Sequence, residues 1–365
     1  MEKLDNMQQI SRRTFLSCAT GAVAATWCGC VGAPKANPAV TEELRRQIDD
    51  GLVYGGVCGL VGGAFYAEGL QWFRPAQKLM AADSIFDLAS VGKTFTAFLC
   101  AKLVGEGKMD PDAPFTKYLP QHVLAKGPCD ITVRDLAMHT GGFDNSKPYI
   151  VDNPAEFDRR LYLKRPVRPR GVKFDYACSN YIYLGRIVEN LMGMDLEAAA
   201  KRYIWDPLGM MDTCWHNIPN HPRAVQNGLN GAPPIGIKGD EQARAYPKAM
   251  GNGAAFSTAS DMLRFADAIL HRRLLAKEAY DLLYTCCYEV DGDRRSFGWD
   301  MRASKTPKGW SARTISHGGF TGNTLAIDPE NGFAGVVLTN RRGDWGKGYE
   351  GRKRLLSLMV GAQIG

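Results

Sequence analysis

Ser90 and Lys93 stand three residues apart in the segment 86–95. Apolar residues continue at helical spacing to Gly105, which predicts a helix that begins near Ser90 and places Lys93 one turn along the same side. The start of a helix offers unpaired N–H groups to a developing oxyanion, and a lysine whose charge is destabilised by burial can accept a serine proton. The alternative interpretation is a capping serine beside a solvent-facing lysine. A phosphate-binding loop is excluded, since that motif requires glycine where Asp87 stands.

Two further segments carry side chains that could serve the same nucleophilic chemistry. Tyr176 lies just before an apolar periodic run that ends at Gly193, where its phenol could relay a proton in a neighbouring site. His317 is followed by Gly318 and Gly319, and glycines allow backbone N–H groups to approach a ligand closely. Taken singly, a core tyrosine and a structural histidine are the commoner interpretations of these residue types.

The elements that must position these residues lie near the two ends of the chain. Residues 41–51 are typical of an amphipathic helix, and the apolar runs 56–66 and 70–73 predict a pair of strands. Near the other end, the turn sequence Asp-Pro-Glu-Asn-Gly at 328–332 separates two short apolar runs and predicts a hairpin. Residues 352–360 then predict a closing helix.

Strands near both ends predict one antiparallel sheet in a single composite domain over 38–362. The α/β part is expected to comprise about 38–100 and 256–362, with a helical, loop-rich insertion over about 101–255. No internal repeat or low-complexity linker divides the chain into two independent domains.

The segment 1–33 predicts an export signal rather than a folded element. Arg12 and Arg13 precede a short run of small, mostly apolar residues, the pattern of a twin-arginine signal. That run is too short and too rich in alanine and glycine to span a membrane. We therefore expect an exported, periplasmic or cell-envelope protein, with a chance arginine pair in a cytoplasmic chain as the alternative. Cleavage after Ala33 and lipid attachment at Cys30 are both open.

The amino-acid composition excludes several classes of protein. The 365 residues carry 45 Lys and Arg against 38 Asp and Glu, and a net charge of +7 on this length is too mild to indicate a nucleic-acid binder. A hydrophobic content of 45% excludes a disordered chain.

The sequence contains ten cysteines, three of which lie in the predicted signal. We expect the other seven to be mostly buried small side chains. No CxxC pair or His/Cys cluster has zinc-ligand spacing, so we expect no metal and no cofactor.

With these segments the sequence resembles the serine β-lactamase-related hydrolases, which include class C β-lactamases, D-Ala-D-Ala carboxypeptidases, D-aminopeptidases and lactamase-like esterases. The resemblance covers about residues 41–345 and includes further ordered matches: Ile-Thr-Val-Arg-Asp-Leu-Ala-Met-His-Thr-Gly-Gly at 131–142, Asp-Pro-Leu-Gly-Met at 206–210, Phe-Ser-Thr-Ala-Ser-Asp at 256–261 and Ile-Asp-Pro at 327–329. It implies an α+β fold: an αβα sandwich with an antiparallel sheet and a helical insertion.

The resemblance also implies a role for each candidate residue. Ser90 would be the acylated nucleophile, Lys93 its proton-accepting partner and Tyr176 the shuttle that serves both acylation and the attacking water. The backbone N–H groups of Ser90 and Phe320 would form the oxyanion hole.

His317, Gly318 and Gly319 stand where many relatives carry Lys-Thr-Gly or His-x-Gly, and would line the substrate pocket. A permanent cation at the first of these positions suits a substrate carboxylate, whereas a histidine is only partly charged near neutral pH. The histidine therefore favours an esterase or peptidase over an efficient β-lactamase.

A second departure from the family pattern follows Tyr176, where Cys178 occupies the position of the usual Asn or Asp. A thiol cannot replace the two-sided hydrogen bonding of an amide that helps to hold a substrate carbonyl. The departure therefore argues against β-lactam hydrolysis. Alternatively, Asn180 could supply the missing amide.

A basic stretch precedes Tyr176 and could place a cation at the pocket rim, although such a run is more often a solvated loop. It comprises Arg159, Arg160, Lys164, Arg165, Arg168, Arg170 and Lys173.

The function expected from all these features is an exported serine hydrolase that cleaves a small ester or a D-amino-acid peptide through an acyl-enzyme on Ser90. Its expected partner is a small-molecule or peptide substrate and not a nucleic acid. A true β-lactamase and a catalytically silent, penicillin-binding-like recognition protein are the alternatives.

Overall fold

The computed structural model describes residues 37–71, 78–146, 153–228 and 231–363. The predicted export signal and Cys30 lie outside these ranges, as does the end of the second apolar run at 72–73. In the described part of the chain, every helix is too short or too polar to cross a membrane.

Strands from both ends of the chain meet in one antiparallel sheet. The strands are β1 (Val53–Leu60), β2 (Phe65–Gly69), β3 (Phe86–Asp87), β4 (Phe256–Ser257), β5 (Tyr288–Val290), β6 (Asp293–Ser296), β7 (Trp299–Asp300), β8 (Ile315–Gly319), β9 (Asn323–Asp328) and β10 (Phe333–Arg341). In the large sheet they lie in the order β2-β1-β10-β9-β8-β7-β6-β5, and all neighbours are antiparallel. The predicted α+β fold with an antiparallel sheet is confirmed.

Helices cover both faces of this sheet. They are α1 (Pro38–Asp49), α2 (Lys93–Gly105), α3 (Val133–Met138), α4 (Pro154–Leu163), α5 (Cys178–Met192), α6 (Leu196–Ala200), α7 (Asp206–Leu208), α8 (Glu241–Ala245), α9 (Ala259–Leu270), α10 (Lys277–Tyr284) and α11 (Trp345–Met359). Helices α1 and α11 pack together on one face, and α9 contacts β1, β9 and β10 on the other. Most of the remaining helices lie in the sequence between β3 and β4.

Strand β10 shows why a central strand of this sheet is a continuous apolar run. Val336 and Leu338 belong to the larger core, whereas Val337 packs into the smaller core with Val40 and Leu355 of the two terminal helices. Successive side chains of a strand point to opposite faces, so both faces of this strand must be apolar when helices cover both.

The hairpin of β1 and β2 differs from the predicted pair of strands. The chain reverses at 61–64, in the middle of the run 56–66, where Gly62 has a φ of +72°. The reversal was missed because apolar residues continue through it and only the pair Gly62-Gly63 signals a turn. Strand β2 ends at Gly69, so the predicted second strand, 70–73, begins one residue after the observed one ends.

Helix α2 is buried on all sides and fixes the position of its own N-terminus. Phe95 packs edge-on against Trp205 and Trp215, with ring centroids 5.7 and 5.9 Å away. The helix also contacts α5 and α10. A helix that is apolar all round is typical of a core element. Since close-packed cores have low compressibility, Lys93 at the first position of α2 is held firmly.

Strand β3, which pairs with β4 in a two-stranded sheet, directly precedes the serine segment, and Asp87 at its end connects that segment to the large sheet. The Asp87 carboxylate accepts hydrogen bonds from the N–H groups of Ala89 (2.9 Å) and Gly239 (2.7 Å). Its backbone carbonyl accepts from the Thr321 hydroxyl (2.7 Å) and the Asn323 amide (2.8 Å). These bonds hold the residues that directly precede Ser90 against the turn between β8 and β9.

Candidate active site

Ser90 lies in a tight 3-10 turn, Ala89–Gly92, that leads directly into α2. The expected helix start is therefore a 3-10 turn, with the α-helix proper beginning at Lys93. Ala89 has a φ of +46°, a left-handed conformation that is uncommon for a residue other than glycine. Its carbonyl accepts the N–H of Ala254 at 2.8 Å, and a Cβ on Gly253 would lie 2.3 Å from that carbonyl oxygen. Only glycine at 253 permits this contact, which supports the strained turn beneath Ser90.

Lys93 is fully buried beneath Ser90. Its Nζ donates to Ser90 Oγ at 3.1 Å and to the backbone carbonyl of Asn252. The ammonium also lies over the Tyr176 ring, 5.0 Å from the centroid. A solvent-facing lysine is thereby excluded, and the serine side chain makes no capping hydrogen bond.

Tyr176 completes the group from a segment without regular secondary structure, just before α5. Its hydroxyl lies 2.6 Å from Ser90 Oγ. The serine oxygen is therefore in hydrogen-bond contact with both Lys93 and Tyr176. The three residues singled out as nucleophile, proton acceptor and shuttle converge in one place, although 86 positions separate Ser90 from Tyr176.

Lys93 and Tyr176 form an electrostatically coupled pair. Burial disfavours the Lys93 ammonium, but the negative charge that Cys178 and Tyr176 would carry on ionisation outweighs burial and raises the pKa of Lys93. Burial raises the pKa of Tyr176, against the opposing effect of the Lys93 ammonium. The two groups therefore titrate together as a pair that holds two protons when fully protonated. A base for the serine proton forms when the pair loses one of them.

His317 lies on β8 and lines the same cleft as Ser90. Desolvation, followed by the positive charge of Lys93, lowers the pKa of His317 to about 3. Its Nδ1 lies 3.0 Å from the carbonyl oxygen of Gly318. The expectation of a partly charged histidine is therefore corrected, because desolvation keeps this ring neutral near neutral pH.

The two glycines after His317 bring β8 close to its neighbours. A Cβ on Gly319 would lie 2.5 Å from the Leu88 carbonyl oxygen, so only glycine lets the strand approach the serine turn. Gly318 packs beside the Tyr349 ring, and a Cβ on this glycine would lie 3.3 Å from the ring edge. Phe320 follows at the mouth of the cleft with an exposed side chain.

Cys178 is the first residue of α5 and is buried next to Lys93. Its Sγ lies 3.9 Å from Lys93 Nζ. Its backbone N–H donates to the side-chain oxygen of Asn145 at 3.0 Å, a contact between distant positions that no local sequence pattern indicates. Position 178 therefore holds a thiol in contact with Lys93.

Asn180 does not replace the missing amide. It is fully buried, and its side-chain nitrogen lies 3.1 Å from Nδ1 of His139. Because α5 turns by about 100° per residue, position 180 points away from the side on which Cys178 meets Lys93. The alternative that Asn180 reaches the substrate is therefore wrong.

The cleft beside Ser90 has a volume of about 320 Å³, and seven of its eighteen lining residues are aromatic. Its aromatic lining comprises Phe174, Tyr176, Tyr181, Trp299, Phe320, Trp345 and Tyr349. Tyr176 and Phe320 were expected here, but the other five come from several separate elements, and their types carry no sequence signal that distinguishes them from core residues.

Three cations also line the cleft and were not singled out in the sequence. Arg295 and Arg302 both pair with Asp300, at 3.2 and 2.5 Å. Lys305 instead lies over the Tyr349 ring, 3.8 Å from the centroid, and no carboxylate among the described residues comes within 4.0 Å of its Nζ. Desolvation, with the neighbouring positive charge of Arg302, lowers the pKa of Lys305. Lys305 is thus a cleft cation to which a substrate anion could bind.

The basic stretch before Tyr176 does not supply a cleft cation. Five of its seven side chains instead pair with neighbouring carboxylates: Arg159 and Arg160 with Glu156, Lys164 with Asp144, Arg168 with Asp175 and Arg170 with Asp135. None of these basic residues is among the described residues that line the cleft.

The cysteines of the described chain are free thiols. They are Cys58, Cys100, Cys129, Cys178, Cys214, Cys286 and Cys287. Three of the seven are buried, so the expectation that most would be buried is wrong. Burial raises the pKa of Cys58 and of Cys100 far above the ordinary value. Within the described ranges, no three His, Cys, Asp or Glu side chains converge as metal ligands.

A serine between a buried lysine and a tyrosine, beside strand β8 of an antiparallel sheet, defines a serine hydrolase. The family model described as Beta-lactamase matches residues 62–358, and the chain belongs to this family.

Two curated relatives are similar over most of the chain. A protein of Escherichia coli (strain K12) named "Putative D-alanyl-D-alanine carboxypeptidase" is 26% identical over 304 residues, which cover 71% of this chain and 69% of that protein. The N-acetylmuramyl-L-alanine amidase of Bacillus subtilis (strain 168) is 28% identical over 314 residues, covering 74% and 70%.

Solved structures share the fold. A class C β-lactamase aligns with a TM-score of 0.75 at 18% identity over 92% of this chain and 99% of that chain. EstCE1, a hydrolase with promiscuous acyltransferase activity, aligns with a TM-score of 0.72 at 20% identity over 87% and 96%.

The coupled pair predicts the pH dependence of catalysis. Both pKa values are raised, so the base forms as pH increases, and kcat/KM for p-nitrophenyl acetate should rise about tenfold per pH unit below the apparent pKa of the pair. No inflection should occur near about pH 6.5, the ordinary histidine range, because His317 is already neutral there. The measurement is a steady-state pH–rate profile. An inflection of kcat/KM near that pH in the wild type that disappears in a His317→Asn variant would contradict this account.

Proposed function

We propose that the chain is an exported hydrolase that cleaves small esters or D-amino-acid peptides through an acyl-enzyme on Ser90. The observation that carries the proposal is the position of Ser90 Oγ, 3.1 Å from Lys93 Nζ and 2.6 Å from the Tyr176 hydroxyl. Export is proposed from the twin-arginine segment in 1–33, which precedes the described residues.

The geometry supports a two-step acyl transfer. In the first step the Ser90 hydroxyl proton passes to the pair of Lys93 and Tyr176 while Oγ bonds to the substrate carbonyl carbon. The N–H groups of Ser90 and Phe320 would stabilise the resulting oxyanion. The bond to the leaving alcohol or amine then breaks, and the leaving group takes a proton from Tyr176. Water then attacks the acyl carbon and gives one proton to the same pair. The bond between the acyl carbon and Ser90 Oγ breaks, and Oγ takes that proton from the pair, which releases the acid and restores the Ser90 hydroxyl.

Two features of the cleft argue against efficient β-lactam hydrolysis. His317 is neutral near neutral pH, so the position that carries lysine in many relatives provides no charge for a substrate carboxylate. Cys178 provides a thiol where an amide would both donate and accept hydrogen bonds. A β-lactamase is therefore the second candidate function, supported by the shared fold rather than by these side chains.

Two other features favour an ester or a peptide with an apolar acyl group and a carboxylate. The aromatic walls offer a large apolar surface to the acyl group. Lys305 supplies a cation that has no carboxylate partner among the described residues. The D-alanyl-D-alanine carboxypeptidase and the amidase named above favour a cell-wall peptide, whereas EstCE1 favours an ester.

A silent recognition protein is the candidate from another functional class. It would bind the same substrates without turning them over, with Cys178 as the sign of a decayed site. The short contacts of Ser90 with Lys93 and Tyr176 oppose this candidate, because a protein that only binds needs no activated nucleophile.

Ser90→Ala should abolish turnover of the substrates that the wild type hydrolyses. The panel comprises p-nitrophenyl acetate, a chromogenic cephalosporin and a peptide that ends in D-alanyl-D-alanine. Loss of the nucleophile should lower kcat by a factor of about 10³ or more. Ser179→Ala is the matched control, since Ser179 is also buried near the site but its hydroxyl contacts none of the catalytic groups. Equal activity of wild type and Ser90→Ala would exclude the acyl-enzyme.

Cys178→Asn should raise kcat for the chromogenic cephalosporin. An amide beside Lys93 restores a donor for the substrate carbonyl, and one hydrogen bond to a charged or polarised group is worth about 1.5–3 kcal/mol, or roughly ten- to a hundredfold. Cys178→Ser is the control, because it keeps the size of the side chain without adding an amide. If neither variant raises cephalosporin turnover, the thiol is not what limits β-lactam hydrolysis.

Lys305→Ala should lower kcat/KM for the D-alanyl-D-alanine peptide about tenfold, since a charge-assisted contact to the terminal carboxylate is lost. Hydrolysis of neutral p-nitrophenyl acetate should not change. Lys308→Ala, an exposed lysine three residues further on, is the control. An equal loss with both substrates would show that Lys305 supports the cleft rather than binding the carboxylate.

A further inference from the structure

His139 belongs to the segment Met-His-Thr-Gly-Gly at 138–142, to which the proposed mechanism assigns no role. It caps the C-terminal end of α3 with a φ of +59°, in the left-handed region. Its exposed fraction is only 4%, yet its ring lines the cleft. A left-handed conformation is unfavourable at a residue other than glycine and persists where the surroundings stabilise it. The contacts that hold His139 therefore point to what it does.

Those contacts involve the residues on either side of Tyr176 in the sequence. The backbone carbonyl of His139 accepts the N–H of Asp175 at 2.9 Å, and its Nδ1 accepts the N–H of Ala177 at 3.2 Å. Between these two hydrogen bonds, the imidazole packs on the Tyr176 ring with centroids 4.5 Å apart and ring planes tilted by 35°. The segment 173–177 has no regular secondary structure of its own. His139 thus contacts the tyrosine and both of its chain neighbours.

A second residue supports the imidazole at the same edge. The Asn180 side-chain nitrogen lies 3.1 Å from Nδ1 of His139, so two N–H donors converge on this nitrogen. Nδ1 must therefore be unprotonated, and the ring proton resides on Nε2. Burial, and then the positive charges of Lys93 and Arg295, lower the pKa of His139 well below its ordinary value. The ring accordingly keeps its acceptor at Nδ1 near neutral pH.

We propose that His139 is a positioning residue: through its contacts with Asp175, Tyr176 and Ala177 it places the Tyr176 hydroxyl within hydrogen-bond distance of Ser90. The inference rests on the proposed function of Ser90 and Tyr176. It explains why the amide of Asn180 lies where it does, since that amide orients the histidine instead of the substrate. Displacement of a catalytic group by about 1 Å can lower the rate of reaction a hundredfold, so a small loss of order at Tyr176 should be measurable.

The test compares three variants. His139→Ala should lower kcat for p-nitrophenyl acetate ten- to a hundredfold with KM little changed. It should also shift the rising limb of the pH–rate profile, because Tyr176 is no longer held beside Ser90 and Lys93. His139→Asn should recover part of the loss, since its side-chain oxygen can accept the Ala177 N–H. His122→Asn is the matched control. His122 is also fully buried, and its Nδ1 likewise accepts a backbone N–H, from Leu124 at 3.2 Å, but it does not line the cleft.

A readout that needs no turnover separates this inference from the proposed function. With 3-fluorotyrosine placed at position 176, the ¹⁹F NMR signal should broaden or split in His139→Ala and remain sharp in His122→Asn. Wild type that hydrolyses no substrate in the panel would overturn the proposed function alone. An unchanged ¹⁹F signal and unchanged kcat in His139→Ala would overturn the inference. The inference would also be overturned if His139→Ala and His122→Asn both lost activity in proportion to the decrease in their melting temperatures.

Discussion

The buried ammonium group of Lys93 is the constraint around which the active centre is arranged. Removing a charged amine from water is unfavourable unless the protein supplies hydrogen-bond acceptors and compensating charge. Here the acceptors are Ser90 Oγ and the carbonyl of Asn252, and the ring of Tyr176 covers the ammonium. Two of the groups that contact the lysine, Ser90 Oγ and Tyr176, are also in hydrogen-bond contact with each other. Stability and nucleophile activation depend on the same few atoms.

The fold brings those atoms together by combining distant parts of the chain. Lys93 begins the central helix α2, Tyr176 precedes α5, and Asn252 precedes β4 at a separation of 159 positions from the lysine. The strained turn at Ala89 is held between this last segment and the hydrogen bonds of Asp87. The sheet, assembled from both ends of the chain, presents β8 as the opposite wall of the cleft.

Much of this arrangement could be predicted from local pattern. The spacing of Ser90 and Lys93 in an apolar periodic segment indicated their shared face, and the turn sequence at 328–332 indicated the hairpin of β9 and β10. Those signals are local, so a single sequence contains them. The reversal at Gly62 was missed because apolar residues continue through the turn.

The remaining features depend on contacts that a single sequence does not contain. Desolvation and Lys93 make His317 neutral, and only the three-dimensional position of the ring shows this. Its position two residues after Cys178 made Asn180 a possible substrate ligand, but its side-chain nitrogen instead contacts the buried Nδ1 of His139. Lys305 is a candidate because no described carboxylate lies within 4.0 Å of its Nζ, and only the three-dimensional structure shows this.

The central claim is that the pair of Lys93 and Tyr176 activates Ser90. Labelling by a fluorophosphonate, followed over time by mass spectrometry and located by peptide mapping, tests it most directly. The account predicts one adduct, on the peptide that contains Ser90, and labelling slower by about a hundredfold or more in both Lys93→Ala and Tyr176→Phe. An adduct on another residue, or labelling of either variant at the wild-type rate, would contradict it.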